Sequence, residues 1–399
     1  MDQEPEYEIK KLNLLAFPKN QHPKCELTEC PATVQLVTPY CSLYYLGEAQ
    51  ATQAWFGIIH KIAHLLSPLM APPMVIGTHD EREKRTSGII MSKRSLIEFC
   101  MTEASNLLSV QKYQLAIPGA VQALKFGKDI YGEKSVEVVQ PYLLLAQASL
   151  GMKRLKEAEE YLSLAKWNVL NSVECPDRTR SQLHQLIGRL NFAQCNFEAA
   201  KVEFASSVFF SSRCYGAEAV ATAPGYFRLG DTFLAQSNIE NALAFFDKVV
   251  DIWYKYLSAI HSSAEAAAAV GEEATGPKLM SEFEQLSEDQ LADGRGQLEQ
   301  ILDNRRRLLG ENHIASGEVQ YTLGLFEFFL LNHFQEADTF ILTAYKTYDQ
   351  QLGSGHPSTR HVHAVLDFLR QQTRYHMSAG PHMLALSSIE RDVSLDGSV

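Results

Sequence analysis

The sequence predicts an all-α fold: helix pairs stacked into a right-handed superhelix, preceded by a small irregular amino-terminal module. Three observations predict it. Four segments, Tyr113-Gln-Leu-Ala116, Leu155-Lys-Glu-Ala158, Phe197-Glu-Ala-Ala200 and Ile239-Glu-Asn-Ala242, end on alanines spaced 42 residues apart. Twelve positions before each alanine lies another small residue: Ala104, Ala146, Gly188 or Gly230. Four and seven positions after it come small or apolar residues: Ala120 and Ala123, Leu162 and Ala165, Phe204 and Ser207, Phe246 and Val249. Offsets of 0, 4 and 7 share one helical face, and small residues there let two antiparallel helices approach closely.

This is the tetratricopeptide pattern, a helix–turn–helix unit repeated along the chain. The segment Gly225-Tyr-Phe-Arg-Leu-Gly-Asp-Thr-Phe-Leu matches it best. The 42-residue period exceeds the usual ~34, and a second marker accounts for the excess. Glycine recurs sixteen residues after the alanine, at Gly132, Gly216 and Gly353. Gly132 and Gly353 also suit a helix stop, and Pro357 suits the start of the next helix. Extended second helices of this kind resemble the repeats of kinesin light chains.

Residues 91–259 thus hold repeats 1–4. A further unit follows at Tyr321 and Ala337, 95 residues after Ala242. The alanine-, glycine- and glutamate-rich stretch between them predicts an insertion over 260–287, partly a flexible loop. Residues 288–376 read as an irregular helix pair (a helix over 297–309 stopped by Gly310), the further repeat and a closing helix over 358–375. Residues 377–399 read as a disordered tail. At the other end, 1–20 reads as an extension, 21–70 as the irregular module and 71–90 as a linker. Residues 32–38 are the only convincing strand, and 50–66 suits a helix.

Composition sets limits on function. Apolar residues make up 46% and charged residues 21%, as in ordinary globular chains. The formal charge of −11 disfavours nucleic-acid and membrane-surface binding, both of which need a basic footprint. No apolar run is long enough to span a bilayer, and the acidic start lacks a secretory signal, so an intracellular chain is expected. Its seven scattered cysteines are then expected as free thiols. No phosphate-binding loop, His-Glu-x2-His or Gly-x-Ser-x-Gly is present. Cys195 and Cys214, placed in helix interiors or at a helix end, lack a paired histidine. His361 and His363 are two apart on a helix and point away from each other. No enzyme, catalytic residue, cofactor or metal is expected.

The module residues Tyr44-Tyr45, Trp55 and His60-Lys-Ile-Ala-His-Leu-Leu resemble the last part of a MYND zinc finger. The blocks Leu96-Ile-Glu-Phe-Cys100, Tyr142–Gly151, Gly225-Tyr-Phe-Arg-Leu and Val250-Asp-Ile-Trp-Tyr-Lys-Tyr-Leu257 extend the resemblance to zinc-finger MYND domain-containing proteins that carry tetratricopeptide repeats. The finger is degenerate. Cys25 and Cys30 have an unusual spacing, Cys41 is one residue out of register, and Leu46, Gln50, Ile59 and Ala63 stand where ligands belong. A metal-free relic held by Tyr44, Tyr45, Trp55 and leucines is the expectation. A methyltransferase of the SET type has no room between the finger and Ala104. The lysine and asparagine clamp of chaperone-tail receptors is missing at Met101, Ser105, Leu144, Gln182 and Leu186.

A protein-interaction scaffold remains. By repeat register, Gln185, Arg189 and Phe192, then Phe227, Asp231 and Leu234, face the concave wall and form the expected protein-binding surface; Phe192 and Leu234 equally suit packing between repeats. The resemblance implies a place in the cytoskeleton, in the axoneme of motile cilia and flagella. It implies as partners another tetratricopeptide protein (tetratricopeptide repeat protein 29) and an inner-arm dynein heavy chain, with the doublet microtubule met indirectly. The alternative is a cytosolic adaptor, either a kinesin-light-chain-like cargo receptor or a dynein assembly factor.

Overall fold

A computed structural model describes residues 7–13, 17, 22–28, 30–70, 78–172, 174–269, 281, 283 and 285–378. The fold is the all-α tetratricopeptide type. It divides into two compact units, Met1–Cys214 and Tyr215–Val399.

The first unit opens with a three-stranded antiparallel sheet, which corrects both the single expected strand and the reading of 1–20 as an extension. Strands β1 (Glu8–Lys11), β2 (Val34–Val37) and β3 (Ser42–Tyr45) lie in that order. Ile9 pairs with Leu36 and Val34 with Tyr45. Along β2 and β3, Val34, Leu36, Leu43 and Tyr45 are buried while their neighbours are half-buried, the period of two that one covered face requires. The covering element is α1 (Glu48–Ala54), a π-helical turn (Trp55–Ile59) and α2 (His60–Met70). Tyr7 stacks on Trp55 with ring centroids 4.6 Å apart. The Cys25 thiol donates to Gln50 Oε1 (3.3 Å) and the Cys41 thiol to the Ala63 carbonyl (3.8 Å).

The next helix, α3 (His79–Ser109), begins inside the expected linker. Thr78 and Glu81 form a reciprocal capping box, and the exposed first turns are built of good helix formers such as Glu83, Lys84 and Arg85. Local propensity and a cap therefore carry a helix that buries nothing before the core begins at Leu96. It pairs with α4 (Tyr113–Tyr131). Pro118 in α4 has no N–H for the Gln114 carbonyl, and Gln53 Nε2 donates to that oxygen at 2.6 Å. The helix-breaking residue thereby ties the amino-terminal module to the first repeat. Helices α5 (Val139–Gly151) and α6 (Leu155–Asn171), then α7 (Asp177–Ala193) and α8 (Phe197–Tyr215), complete the unit.

The marker residues fall where two helices cross. Ala116, Ala158, Ala200 and Ala242 are all buried, as are Ala104, Ala146, Gly188 and Gly230. A Cβ placed on Gly188 would lie 2.6 Å from the Phe204 ring, and one on Gly230 would lie 2.6 Å from the Phe246 ring. Neither ring can retreat from its packed core, so Gly188→Ala is expected to cost about 1–3 kcal/mol by overpacking, read as a lowered urea midpoint. The turns repeat as faithfully as the faces. Gln111, Lys153, Cys195, Ser237 and Asn332 all have φ between 58° and 61°. The first four are 42 apart, each closing the turn between the helices of a pair. Cys195 thus lies in a turn and not in a helix.

The second unit contains α9 (Ala223–Ala235), α10 (Ile239–Ala269), α11 (Glu288–Leu309), α12 (Ile314–Phe329), α13 (Phe334–Leu352) and α14 (Pro357–Ser378). Helix α10 runs nine residues past the expected start of the insertion, because Ile260, His261 and Ala264 continue its buried face. Of the rest of the expected insertion over 260–287, residues 270–280, 282 and 284 lie outside the described residues, as does 379–399 of the expected tail over 377–399. Gly310 and Gly353, both with positive φ, stop α11 and α13. Gly294, sixteen residues before Gly310, packs against Trp253 as a repeat marker should. Marker spacings from Ala242 are therefore 52 and then 43, and the apparent gap of 95 hides a second helix of repeat type. Helix α12 is buried on nearly every side and forms the centre of this unit, in contact with α10, α11 and α13.

Candidate protein-interaction surfaces

The residues expected on the concave wall are held differently from one another. In the first unit, Gln185, Arg189 and Phe192 are half-buried on α7, and Phe192 meets Phe197 edge-on with ring centroids 5.5 Å apart. In the second unit, Phe227 is only 1% exposed and packs against Phe246 at 5.9 Å. It belongs to the core of its repeat, whose glycine leaves the room that the two rings fill. Leu234 is half-buried against the same core.

Asp231 is half-buried on α9, with Arg228 Nη1 3.5 Å from its carboxylate. Burial pushes its pKa up to about 6, and the Arg228 charge opposes the shift only in part. A carboxyl whose folded pKa lies above the unfolded value of ~3.9 loses stability as pH rises through that window. The loss is complete above the folded value. Asp231→Asn is therefore expected to raise the melting temperature at pH 7 and to have little effect at pH 4, a difference that calorimetry at the two pH values would read.

An apolar surface missed by the register argument lies on the outer face of α6 and α8. Trp167 is 58% exposed and Leu170 74%, with Leu164 beside them on α6. On α8, Val202 and Phe209 are seven residues apart on one face and equally exposed. The buried stripe of α6 is Ala158, Leu162, Ala165 and Val169. Trp167 points away from that stripe by about half a turn at ~3.6 residues per turn. A second apolar face on a repeat helix was the available sequence signal. Single exposed apolar residues are ordinary, but here five stand on the solvent sides of two helices linked by the Lys166–Glu203 ion pair (3.6 Å), a surface of the kind that partners cover.

Charged groups in the second unit are arranged for structure. Glu327, fully buried on α12, lies with His333 and Glu336 in a group compact enough to share an ion. Arg295 Nε already donates to Glu327 at 2.5 Å and its Nη2 to Glu336 at 3.0 Å, so a guanidinium occupies the cation's role. The thiols are free. Burial drives Cys100 up to about 12 and also raises Cys41 and Cys175, which keeps all three protonated and poorly nucleophilic.

Comparison with known proteins gives one family match. Residues 223–252 match the tetratricopeptide repeat model. The match covers α9 and the start of α10, the unit whose sequence fits the pattern best. Among solved structures, the chain is similar to a putative kinesin light chain with nearly identical TPR-like repeats from Podosopora anserina, at 16% identity over 53% of this chain and 95% of that one, with a TM-score of 0.28. It is similar to BtubC (BKLC) from P. vanneervenii at 14% identity, covering 65% of this chain and 94% of that one, with a TM-score of 0.28. It is similar to aspartyl phosphate phosphatase F from Bacillus subtilis at 12% identity, covering 82% and 85%, with a TM-score of 0.37. Likenesses at this level do not bear on function. The repeat match and the stacked helix pairs support a protein-interaction adaptor.

Proposed function

We propose that this chain is a non-enzymatic adaptor of the motile cilium or flagellum that docks or stabilises inner-arm dynein on the doublet microtubule. The observation that carries the adaptor part is the exposed apolar face of α6 and α8, where Trp167, Leu170 and Phe209 present more than half of their surface to solvent. A tryptophan with apolar neighbours on helices fixed by their own cores is how interfaces gain energy without paying for ordering. The axonemal part is supported by the sequence resemblance to zinc-finger MYND domain-containing protein 12. From it come the partners, tetratricopeptide repeat protein 29 and a dynein heavy chain. The charge of −11 favours reaching acidic tubulin through such proteins over direct contact.

The test is extraction. The tagged chain is expressed in a flagellated cell, membranes are stripped with detergent, and axonemes are washed with rising salt. Retention through detergent and release at high salt are expected for the wild type. The surface variant Trp167→Ala/Leu170→Ser, which touches no core, should appear in the detergent supernatant. Complete loss of the wild type into the soluble cell-body fraction would overturn the axonemal role and leave a cargo adaptor or an assembly factor.

A further inference from the structure

The second unit contains a cleft of about 660 Å³ walled by α10, α11, α12, α13 and α14. That is within the range of ligand sites. Its walls are aromatic. Tyr254 and Tyr321 have ring centroids 6.0 Å apart, Tyr348 adds a third ring, and the Tyr321 hydroxyl is held by His361 Nε2 at 3.1 Å. Tyr254 is partly exposed at the mouth, while Tyr321 and Tyr348 are buried.

The charges of the cleft do not cancel. Arg305, 1% exposed, donates to Asp247 and to the Ala315 carbonyl. Asp251 at the rim is answered by Lys255 at 2.8 Å, and Lys248 and Lys255 together also meet Glu218. Glu318 is left with Arg305 at 3.7 Å, a guanidinium already engaged by Asp247. Among the described residues the cleft carboxylates Asp247 and Glu318 thus share the one guanidinium of Arg305, which meets Asp247 more closely and Glu318 at the longer distance. The Glu318 side chain keeps 49% of its exposure, so it is open to an incoming group; partial burial and the Asp247 charge raise its pKa, while Arg305 and His313 oppose the shift.

We propose that this cleft receives an arginine side chain from a protein partner, its guanidinium paired with Glu318 and stacked on the Tyr254 ring. A guanidinium is flat, offers a fork of N–H donors to a carboxylate and is favoured over an aromatic face. Lysine would satisfy the charge but neither the fork nor the stacking. The proposal rests on the adaptor reading only for the source of the arginine. Its test is made on the purified full-length chain, so its failure is separate from the outcome of axoneme extraction.

The probes are N-acetyl-arginine amide, N-acetyl-lysine amide and the neutral isostere N-acetyl-citrulline amide, each titrated by saturation-transfer NMR. A lone side chain should bind with a dissociation constant on the order of millimolar. The arginine amide is expected to bind best and the citrulline amide about tenfold more weakly or not at all. Glu318→Gln and Tyr254→Ala should each weaken arginine binding several-fold while leaving the thermal melt of the chain near wild type. Equal binding of the arginine and citrulline amides would overturn the proposal. So would arginine binding unchanged in Glu318→Gln, or no detectable binding of the arginine amide. Tighter binding of the lysine amide would overturn the choice of arginine.

Discussion

Replacing Trp253 by alanine is expected to lower the stability of the second unit by about 4 kcal/mol. Trp253 is the largest fully buried side chain there. Its ring lies 5.1 Å from that of Phe326 on α12 and fills the space left by Gly294 on α11. One side chain thus joins three helices, and no small neighbour can move in to occupy the void. Urea unfolding with hydrogen exchange of α12 amides as the readout would measure the loss. Trp253→Phe should cost under ~1.5 kcal/mol, because it keeps much of the contact area. It also removes a buried indole N–H that has no acceptor among the described residues. A loss below ~1 kcal/mol in the alanine variant would mean that the three helices are not held through this residue.

Arg295→Met is expected to cost about 3 kcal/mol, for an electrostatic reason. Glu327 is fully buried, and Arg295 is the cation closest to it. With Arg295 removed, the carboxylate keeps only His333, at 2.9 Å, as a hydrogen-bond partner from the nearby bases. A buried charge left short of its counter-ion costs more than the pair contributed. The double variant Arg295→Met/Glu327→Gln should recover most of the loss, since a neutral amide needs no counter-charge. Additive losses in that double-mutant cycle would show that Arg295 acts by packing its stem and not by its charge.

Much of the repeat architecture was legible because its cause is local and periodic. The small residues at Ala104, Ala146, Gly188 and Gly230 are demanded by helix crossings, and a spacing of 42 displays them in the sequence. The parts that were missed obey other rules. Strand β1 is a four-residue edge strand with charges at Glu8, Lys10 and Lys11, which is how edges are protected and also how they escape pattern reading. The start of α3 was hidden because a capped, solvated helix has no apolar face to detect. Helix α11 was read only from 297 because its marker is Gly294, not alanine. Of the expected binding surface, the register put all six residues on the wall; the structure holds Gln185, Arg189 and Phe192 half-buried on α7, and Asp231 and Leu234 half-buried on α9, but sets Phe227 in the core. Register says which helix a residue belongs to; it does not say how large its neighbour is, and the Gly230–Phe246 packing decides the fate of Phe227. The α6–α8 patch was legible in principle as leucine and tryptophan opposite an alanine stripe.

The helix crossings have a consequence for making hybrids of such chains. In repeats three and four the first helix meets the crossing with a glycine that faces Phe204 or Phe246 of the second helix. In repeat two, Ala146 shares the same core with Leu162, and in repeat one Ala104 shares a core with Ala120. Each repeat divides the volume of its crossing between two helices in its own proportion. A chimaera cut at Cys195 or Lys153, inside a pair, would join helices with mismatched shares, either colliding or leaving a hole. A cut at Gly132 or Gly216, between pairs, moves both halves of the fit together. The natural unit of exchange in this protein is thus the whole helix hairpin, and a library recombined between hairpins should yield folded chains far more often than one recombined at the turns inside them.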